Sequence, residues 1–145
     1  MKFLSALQPI GLLVLRWALA AIFIYHGYPK LVRADAGMHE FFVQHGFPSY
    51  FVGLAGILEC AGSALLAIGL FTRPVALLLA MEMAIAIWKV KLVRGVMAVN
   101  EYQFELALAG ACFALATVGA GAVSLDHLVF GESSRKRKPG RSGRD

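Results

Sequence analysis

The sequence predicts an all-α fold, an integral membrane four-helix bundle that can be divided into two similar helical hairpins. Hydrophobic residues make up 59% of the chain and charged residues only 16%, whereas soluble domains carry about 25% charged residues. A soluble domain of 145 residues has too much surface to bury so many apolar side chains. The apolar residues also form long stretches that lack the period-two alternation of membrane barrel strands.

Each apolar stretch approaches the roughly 20 residues with which a helix crosses a bilayer core. We predict spans at residues 9–25, 50–70, 74–88 and 106–123. The third is short, but Lys89 and Lys91 can extend from its end toward the head groups. The predicted connections are loops at 27–49 and 89–103 and a tight turn at 71–73.

A short internal echo accompanies these spans. The sequence Lys-Leu-Val-Arg follows the first span at Lys30 and the third span at Lys91. Parallel repeats in membrane proteins produce such echoes, which favours two similar hairpins. Chance agreement over so few residues is the alternative.

The domain organisation is one transmembrane domain, residues 1–130, followed by a basic tail, residues 131–145. The net charge of +5 is concentrated in this tail at Arg135, Lys136, Arg137, Lys138, Arg141 and Arg144. Its composition predicts disorder, and beside a bilayer it is expected to face anionic lipid heads rather than nucleic acid. An even number of spans puts both termini on one side, and the basic residues favour the cytoplasm.

The first span could be mistaken for a signal peptide, because Ala18-Leu19-Ala20 imitates a cleavage site. However, Arg16 interrupts the apolar run, and residues 21–25 continue it past the supposed cut. We therefore expect the segment to remain as a span.

Three ionisable residues fall inside the predicted spans: Arg16, Glu59 and Glu82. A charge at the centre of a span costs about 2.5–3.5 kcal/mol on insertion scales, so such residues normally face partners inside the bundle. Their estimated depths agree, which predicts an intramembrane polar cluster in which one guanidinium binds two carboxylates. The excess carboxylate is expected to take up a proton, since burial and a neighbouring like charge both favour its neutral form. A proton-linked function and a purely structural clasp are both consistent with this cluster.

A second set of polar residues lies nearer the opposite surface. His26 and Lys30 share a stripe of the first helix with Arg16, while Glu101 and Glu105 begin the fourth. Together they predict an outer polar pocket. The alternative is a set of separate interfacial side chains with water partners.

Several familiar sites have no counterpart in the sequence. Cys60 and Cys112 are predicted to share a depth, as a redox pair or as inert buried thiols. His39 and His45 have poor spacing for a metal on one helix face, so no metal site is expected. Phosphate-binding loops, zinc spacings and nucleophile elbows are also lacking. No self-contained catalytic site is evident, so we assign no catalytic residue and predict neither the presence nor the absence of enzyme activity.

Ordered motifs over about residues 10–126 resemble the DoxX family. His26, Gly27, Lys30 and Leu31 look like the HGxxKL signature that closes the first helix in that family. Other matching positions are Arg16, Glu59, Thr72, Arg73, Glu105 and Asp126. The chain departs from the pattern at Cys60, Ala120 and Glu82, so Glu82 is a local addition to an expected Arg16–Glu59 pair.

The resemblance implies a small four-helix protein of the bacterial inner membrane, where the bilayer is its first partner. Related chains include the membrane subunit of an archaeal thiosulfate:quinone oxidoreductase, and others associate with superoxide dismutase and a sulfurtransferase. It implies an accessory or anchoring subunit of a redox system, with oxidoreductase subunits or further copies of this chain as partners and quinone as a cofactor. The alternatives are a proton-linked carrier or binding protein that uses the buried carboxylates, and a self-sufficient enzyme.

Overall fold

A computed structural model describes residues 6–92 and 99–129, and these residues form helices without any strand. The α-helices are α1 (Gln8–Val32), α2 (Ala36–Gln44), α3 (Phe51–Ile68), α4 (Thr72–Ala86) and α5 (Gln103–Val118). A π-helical turn, Ile87–Lys91, extends α4, and a 3-10 turn, Val99–Glu101, precedes α5. Residues 125–129 form a last helical turn. The predicted basic tail and Arg94 lie outside the described residues.

The segment predicted as a loop at 27–49 is largely helical. The first helix continues to Val32, with Lys30 in its last turn, where a cation interacts favourably with the C-terminal dipole. A further helix, α2, begins at Asp35, whose Oδ1 accepts a 2.8 Å hydrogen bond from Met38 N. Aspartate at this position satisfies an amide that has no partner within the helix.

The turn between α3 and α4 is stabilised by a glycine within it and by a carboxylate from the last helical turn. Gly69 ends α3 in the left-handed conformation with φ of 72°, which glycine adopts without steric cost. The Asp126 carboxylate then accepts from Phe71 N at 2.7 Å and Thr72 N at 2.9 Å. A carboxylate at a helix N-terminus offsets the positive end of the dipole. The predicted tight turn at 71–73 is therefore fixed by a residue from the far end of the chain.

The last predicted span, 106–123, is corrected by the structure. The helix starts earlier, at Gln103, and ends at Val118. Gly119 and Gly121 follow with φ of 93° and 80°, a region that side-chain-bearing residues avoid. Residues 119–123 therefore leave the helix, and their carbonyl groups become available to other partners.

The helices pack mainly as two pairs, α1 against α3 and α4 against α5. Side chains buried at the centre include Phe23, Leu66, Leu79 and Leu115. Among the described helices, α1 and α3 are long and apolar enough to cross a membrane, and α5 is apolar but shorter. The all-helical class is as predicted.

Candidate functional site

Lys30 and Glu59 form an ion pair between α1 and α3. Lys30 Nζ donates to Glu59 Oε1 at 2.7 Å and to Oε2 at 2.8 Å. The carboxylate side chain is 1% exposed, whereas the lysine side chain is 21% exposed. A buried carboxylate is costly unless it is paired, so the ammonium group stabilises the charge of Glu59 from the edge of the bundle.

Two glycines let the helices approach at this pair. A Cβ atom on Gly27 would lie 2.6 Å from Glu59 Cβ, and one on Gly56 would lie 3.0 Å from Lys30 Cβ. Any larger residue at Gly27 would push α1 away from α3. On the buried face of α3, Ser63 Oγ donates to the carbonyl oxygen of Glu59 at 2.5 Å.

Glu82, from α4, completes what we call the lysine–carboxylate site. Its carboxyl group interacts electrostatically with both Glu59 and Lys30. Within the described residues, Glu82 Oε2 is buried and has no hydrogen-bond partner. Cys112 interacts electrostatically with Glu82, and Cys60 interacts with Glu59 and Lys30 in the same way. The Lys30 ammonium group thus bonds to Glu59 and acts electrostatically on Glu82, while one Glu82 oxygen has no donor among the described residues.

The predicted outer pocket is divided among other partners. Lys30 binds Glu59, and Glu105 pairs with Lys91 at 3.3 Å. His26 acts electrostatically on Glu59, and its ring centroid lies 5.9 Å from that of Phe104. Glu101 lies in the 3-10 turn before α5. The described contacts thus turn the Lys30 ammonium group toward Glu59 and Glu105 toward Lys91, and a pocket shared by all four residues stays a prediction.

Arg16 occupies a different place, the arginine site. Its guanidinium donates through Nε to Leu66 O at 2.9 Å and through Nη2 to Ala67 O at 3.2 Å. Nη1 donates to Ala120 O and Val123 O, both at 2.7 Å. Arg16 is 1% exposed, so main-chain carbonyl groups in the last turn of α3 and in the segment after α5 satisfy a buried cation. Carbonyl groups at helix C-termini carry partial negative charge, which suits this role.

The predicted contact of Arg16 with Glu59 is therefore not formed. Among the residues that the structure describes, no carboxylate lies within salt-bridge distance of Arg16, and Asp126 acts on it only through a longer-range interaction. Helical side chains lean toward the N-terminus of their own helix. Arg16 and Lys30 therefore both lean toward the start of α1, whereas Glu59 in antiparallel α3 leans toward Lys30. The Cα atoms of Arg16 and Glu59 have similar depths, so depth alone does not reveal that their charged groups are far apart.

The remaining family-motif positions are split between the two sites. Gly27 belongs to the lysine–carboxylate site. Asp126 caps α4 near Arg16, and Arg73 Nη2 donates to Val118 O at 3.3 Å. Thr72 is fully buried, and its Oγ1 has no hydrogen-bond partner within residues 6–92 and 99–129.

Glycines mark both sites because they allow close backbone approach. A Cβ atom on Gly69 would lie 2.8 Å from Arg16 Cζ, so this backbone packs directly on the guanidinium. In the described part of the chain, no cluster of His, Cys, Asp or Glu could hold a metal ion. Main-chain carbonyl groups give no side-chain pattern, so the partners of Arg16 could not be identified in the sequence. Gly69, which packs against the guanidinium, is the sequence signal for this site.

Comparison with known proteins supports a family assignment. The DoxX family profile matches residues 11–92. A Bacillus subtilis protein named "Putative oxidoreductase CatD" is 35% identical over 83% of this chain and 88% of its own length. The Escherichia coli protein named "Inner membrane protein YphA" is 31% identical over 84% of this chain and 92% of its own length. No solved structure matches.

Proposed function

Because this chain belongs to the DoxX family of membrane proteins, we propose that it is an accessory or anchoring subunit of a membrane-associated redox system. The partner system would handle a quinone, a thiol or a sulfur compound. The name of the Bacillus relative supports a redox association. The lysine–carboxylate site supports proton exchange inside the bundle, which the reduction of a quinone or disulfide requires.

The proposed arrangement has four helices crossing the inner membrane with both termini in the cytoplasm. α1 and α3 have the length and hydropathy for this, and α4 and α5 pack beside them. Large apolar side chains cover the outside of the helices, such as Val14, Ile57 and Phe113, which are 60%, 55% and 59% exposed. Apolar surface of this extent is favoured next to acyl chains rather than water.

The observation that carries the proposal is a Glu82 oxygen that has no partner within the described residues and interacts electrostatically with Lys30 and Glu59. A buried polar atom without a partner costs free energy, and a proton or a ligand donor would satisfy it. A quinone head group bound here would accept hydrogen bonds from Lys30 Nζ and from a protonated Glu82, both of which are donors for carbonyl oxygen. A quinone, when bound, would supply the electron-accepting chemistry.

Isolation of the tagged chain from its native membranes in a mild detergent tests the anchoring role. We expect an oxidoreductase subunit to co-purify in a fixed ratio, and an unrelated membrane protein with the same tag to recover none of it. Recovery of the chain as a homo-oligomer alone would contradict the proposal.

A proton-linked carrier or binding protein is the second candidate, favoured by the same two carboxyl groups sharing one cation. It predicts that liposomes containing only this chain take up a solute when a pH gradient is applied. Glu59→Gln should abolish that uptake, and Trp17→Phe, at the other site, should leave it intact. Uptake that is indifferent to Glu59→Gln would remove this candidate.

A further inference from the structure

An open groove lies along the Lys30 end of α1 and is lined by that helix and by Met38 of α2. Its volume is about 830 Å³. Its apolar lining, which we call the floor, includes Ala21 and Ile24 from α1 and Met38 from α2. An apolar floor of this kind is unfavourable in water and is matched by an acyl chain.

The rim of the groove is polar and cationic. Tyr25 and Tyr28 border it and are 76% and 54% exposed. Tyrosine is enriched where a membrane meets water, which places the rim at head-group level. Lys30 and Arg33 also line the groove, and none of its lining residues is acidic.

Arg33 is the rim cation whose side chain is not engaged by any described residue. It is exposed, and the side chain has no hydrogen bond or ion pair with any residue in 6–92 or 99–129. Its planar guanidinium can bind two phosphate oxygens at once. Lys30 also lines the groove, but Glu59 compensates its charge, so Arg33 is the main anion-binding group.

We propose that this groove binds an anionic phospholipid, with the phosphate at Arg33 and one acyl chain along Ala21 and Ile24. Charge complementarity selects an anion, and the apolar floor selects an anion that carries a chain. A free phosphate would leave the floor uncovered, and a neutral lipid would leave the cationic rim uncompensated. The inference depends on the membrane location and is independent of the redox role.

The lipid would also lie beside the lysine–carboxylate site, because Lys30 belongs to both. A phosphate at the groove gives the Lys30 ammonium a second anionic neighbour. The lipid therefore holds the outer turn of α1 in place while Glu59 holds its inner side.

Thermal melting of the purified chain in a neutral detergent tests the proposal. Short-chain phosphatidylglycerol, phosphatidylcholine with the same chains, and inorganic phosphate are added separately. We expect phosphatidylglycerol alone to raise the melting temperature in a saturable manner. Equal shifts with phosphatidylcholine would show a neutral-lipid effect, and an equal shift with phosphate would show a free-anion site; either result overturns the proposal.

Two variants locate the effect. Arg33→Gln should weaken phosphatidylglycerol binding about tenfold, the loss expected for a hydrogen-bonded charge pair. Lys89→Gln is the matched control, since Lys89 approaches Phe47 and Trp88 and does not line the groove. Unchanged binding in Arg33→Gln, or equal weakening in both variants, would show that the groove is not the site.

Discussion

The Lys30 ammonium group binds both oxygens of Glu59, at 2.7 and 2.8 Å, across the closest approach of α1 and α3. The two residues contribute unequally, because Glu59 is enclosed while Lys30 remains partly exposed. Removing the lysine would therefore leave a buried carboxylate with its main cation missing. Removing the carboxylate would leave an ammonium group that can still reach polar surroundings.

Lys30→Met should lower the free energy of unfolding by about 3–5 kcal/mol, the range for a buried pair that loses one partner. Lys89→Met is the control, since it removes a cation that lies over aromatic rings, and should cost about 0.5–1 kcal/mol. Unfolding of both variants in mixed micelles, followed by circular dichroism, gives the comparison. Equal losses would show that Lys30 does not stabilise the buried charge.

Gly27→Ala should destabilise the contact between α1 and α3, because its Cβ atom would lie 2.6 Å from Glu59 Cβ. Overpacking of this kind typically costs about 1–3 kcal/mol. Gly53→Ala, in α3 but with no atom within 4 Å of its Cβ position, should be neutral or stabilising because alanine favours helix. The melting temperatures of the two variants give the comparison. A Gly27→Ala variant that melts like the parent would contradict the close packing of α1 and α3.

Arg16→Leu should be strongly destabilising, because it removes the hydrogen bonds from the guanidinium to carbonyl groups in the last turn of α3 and in the segment after α5. Hydrogen bonds to a charged group are worth about 1.5–3 kcal/mol each, so we expect a loss of at least about 3 kcal/mol. Trp17→Phe is a neighbouring control that removes a single bond, from Trp17 Nε1 to Ala67 O, and should cost about 1 kcal/mol. A loss in Arg16→Leu no larger than in Trp17→Phe would exclude the arginine site as a major support.

Glu82→Met should separate stability from function. The variant removes a carboxyl group whose Oε2 is buried and has no partner in residues 6–92 and 99–129, so the free energy of unfolding should rise by about 1 kcal/mol. Electron transfer by membranes that contain the variant and its redox partner should nevertheless fall, as expected where a strained group serves function. Met81→Leu, on the exposed face of the same helix, should change neither quantity. A variant that loses stability and keeps activity would assign Glu82 a structural role.

Much of the fold could be predicted from hydropathy, because lipid demands long apolar helices. The shared neighbourhood of Glu59 and Glu82 could also be predicted from residue depth. The α2 helix was missed inside a predicted loop, although Asp35 followed by an amphipathic run was a usable signal.

The identity of each carboxylate's partner could not be predicted from depth alone. Long side chains place their charged groups well away from their Cα atoms. Because the side chains of Arg16 and Lys30 both point toward the start of α1, Lys30 reaches Glu59 and Arg16 does not. Main-chain carbonyl groups, the partners that Arg16 adopts, are present at every position and give no pattern in the sequence.

The most direct test is a pair of double-mutant cycles on the free energy of unfolding, one with Lys30→Met and Glu59→Gln, the other with Arg16→Leu and Glu59→Gln. Because Lys30 and Glu59 share two hydrogen bonds, we expect a coupling free energy of about 2 kcal/mol in the first cycle. Arg16 and Glu59 bind different groups, so the second should be additive within about 0.5 kcal/mol. Strong coupling between Arg16 and Glu59, with none between Lys30 and Glu59, would contradict the two-site arrangement.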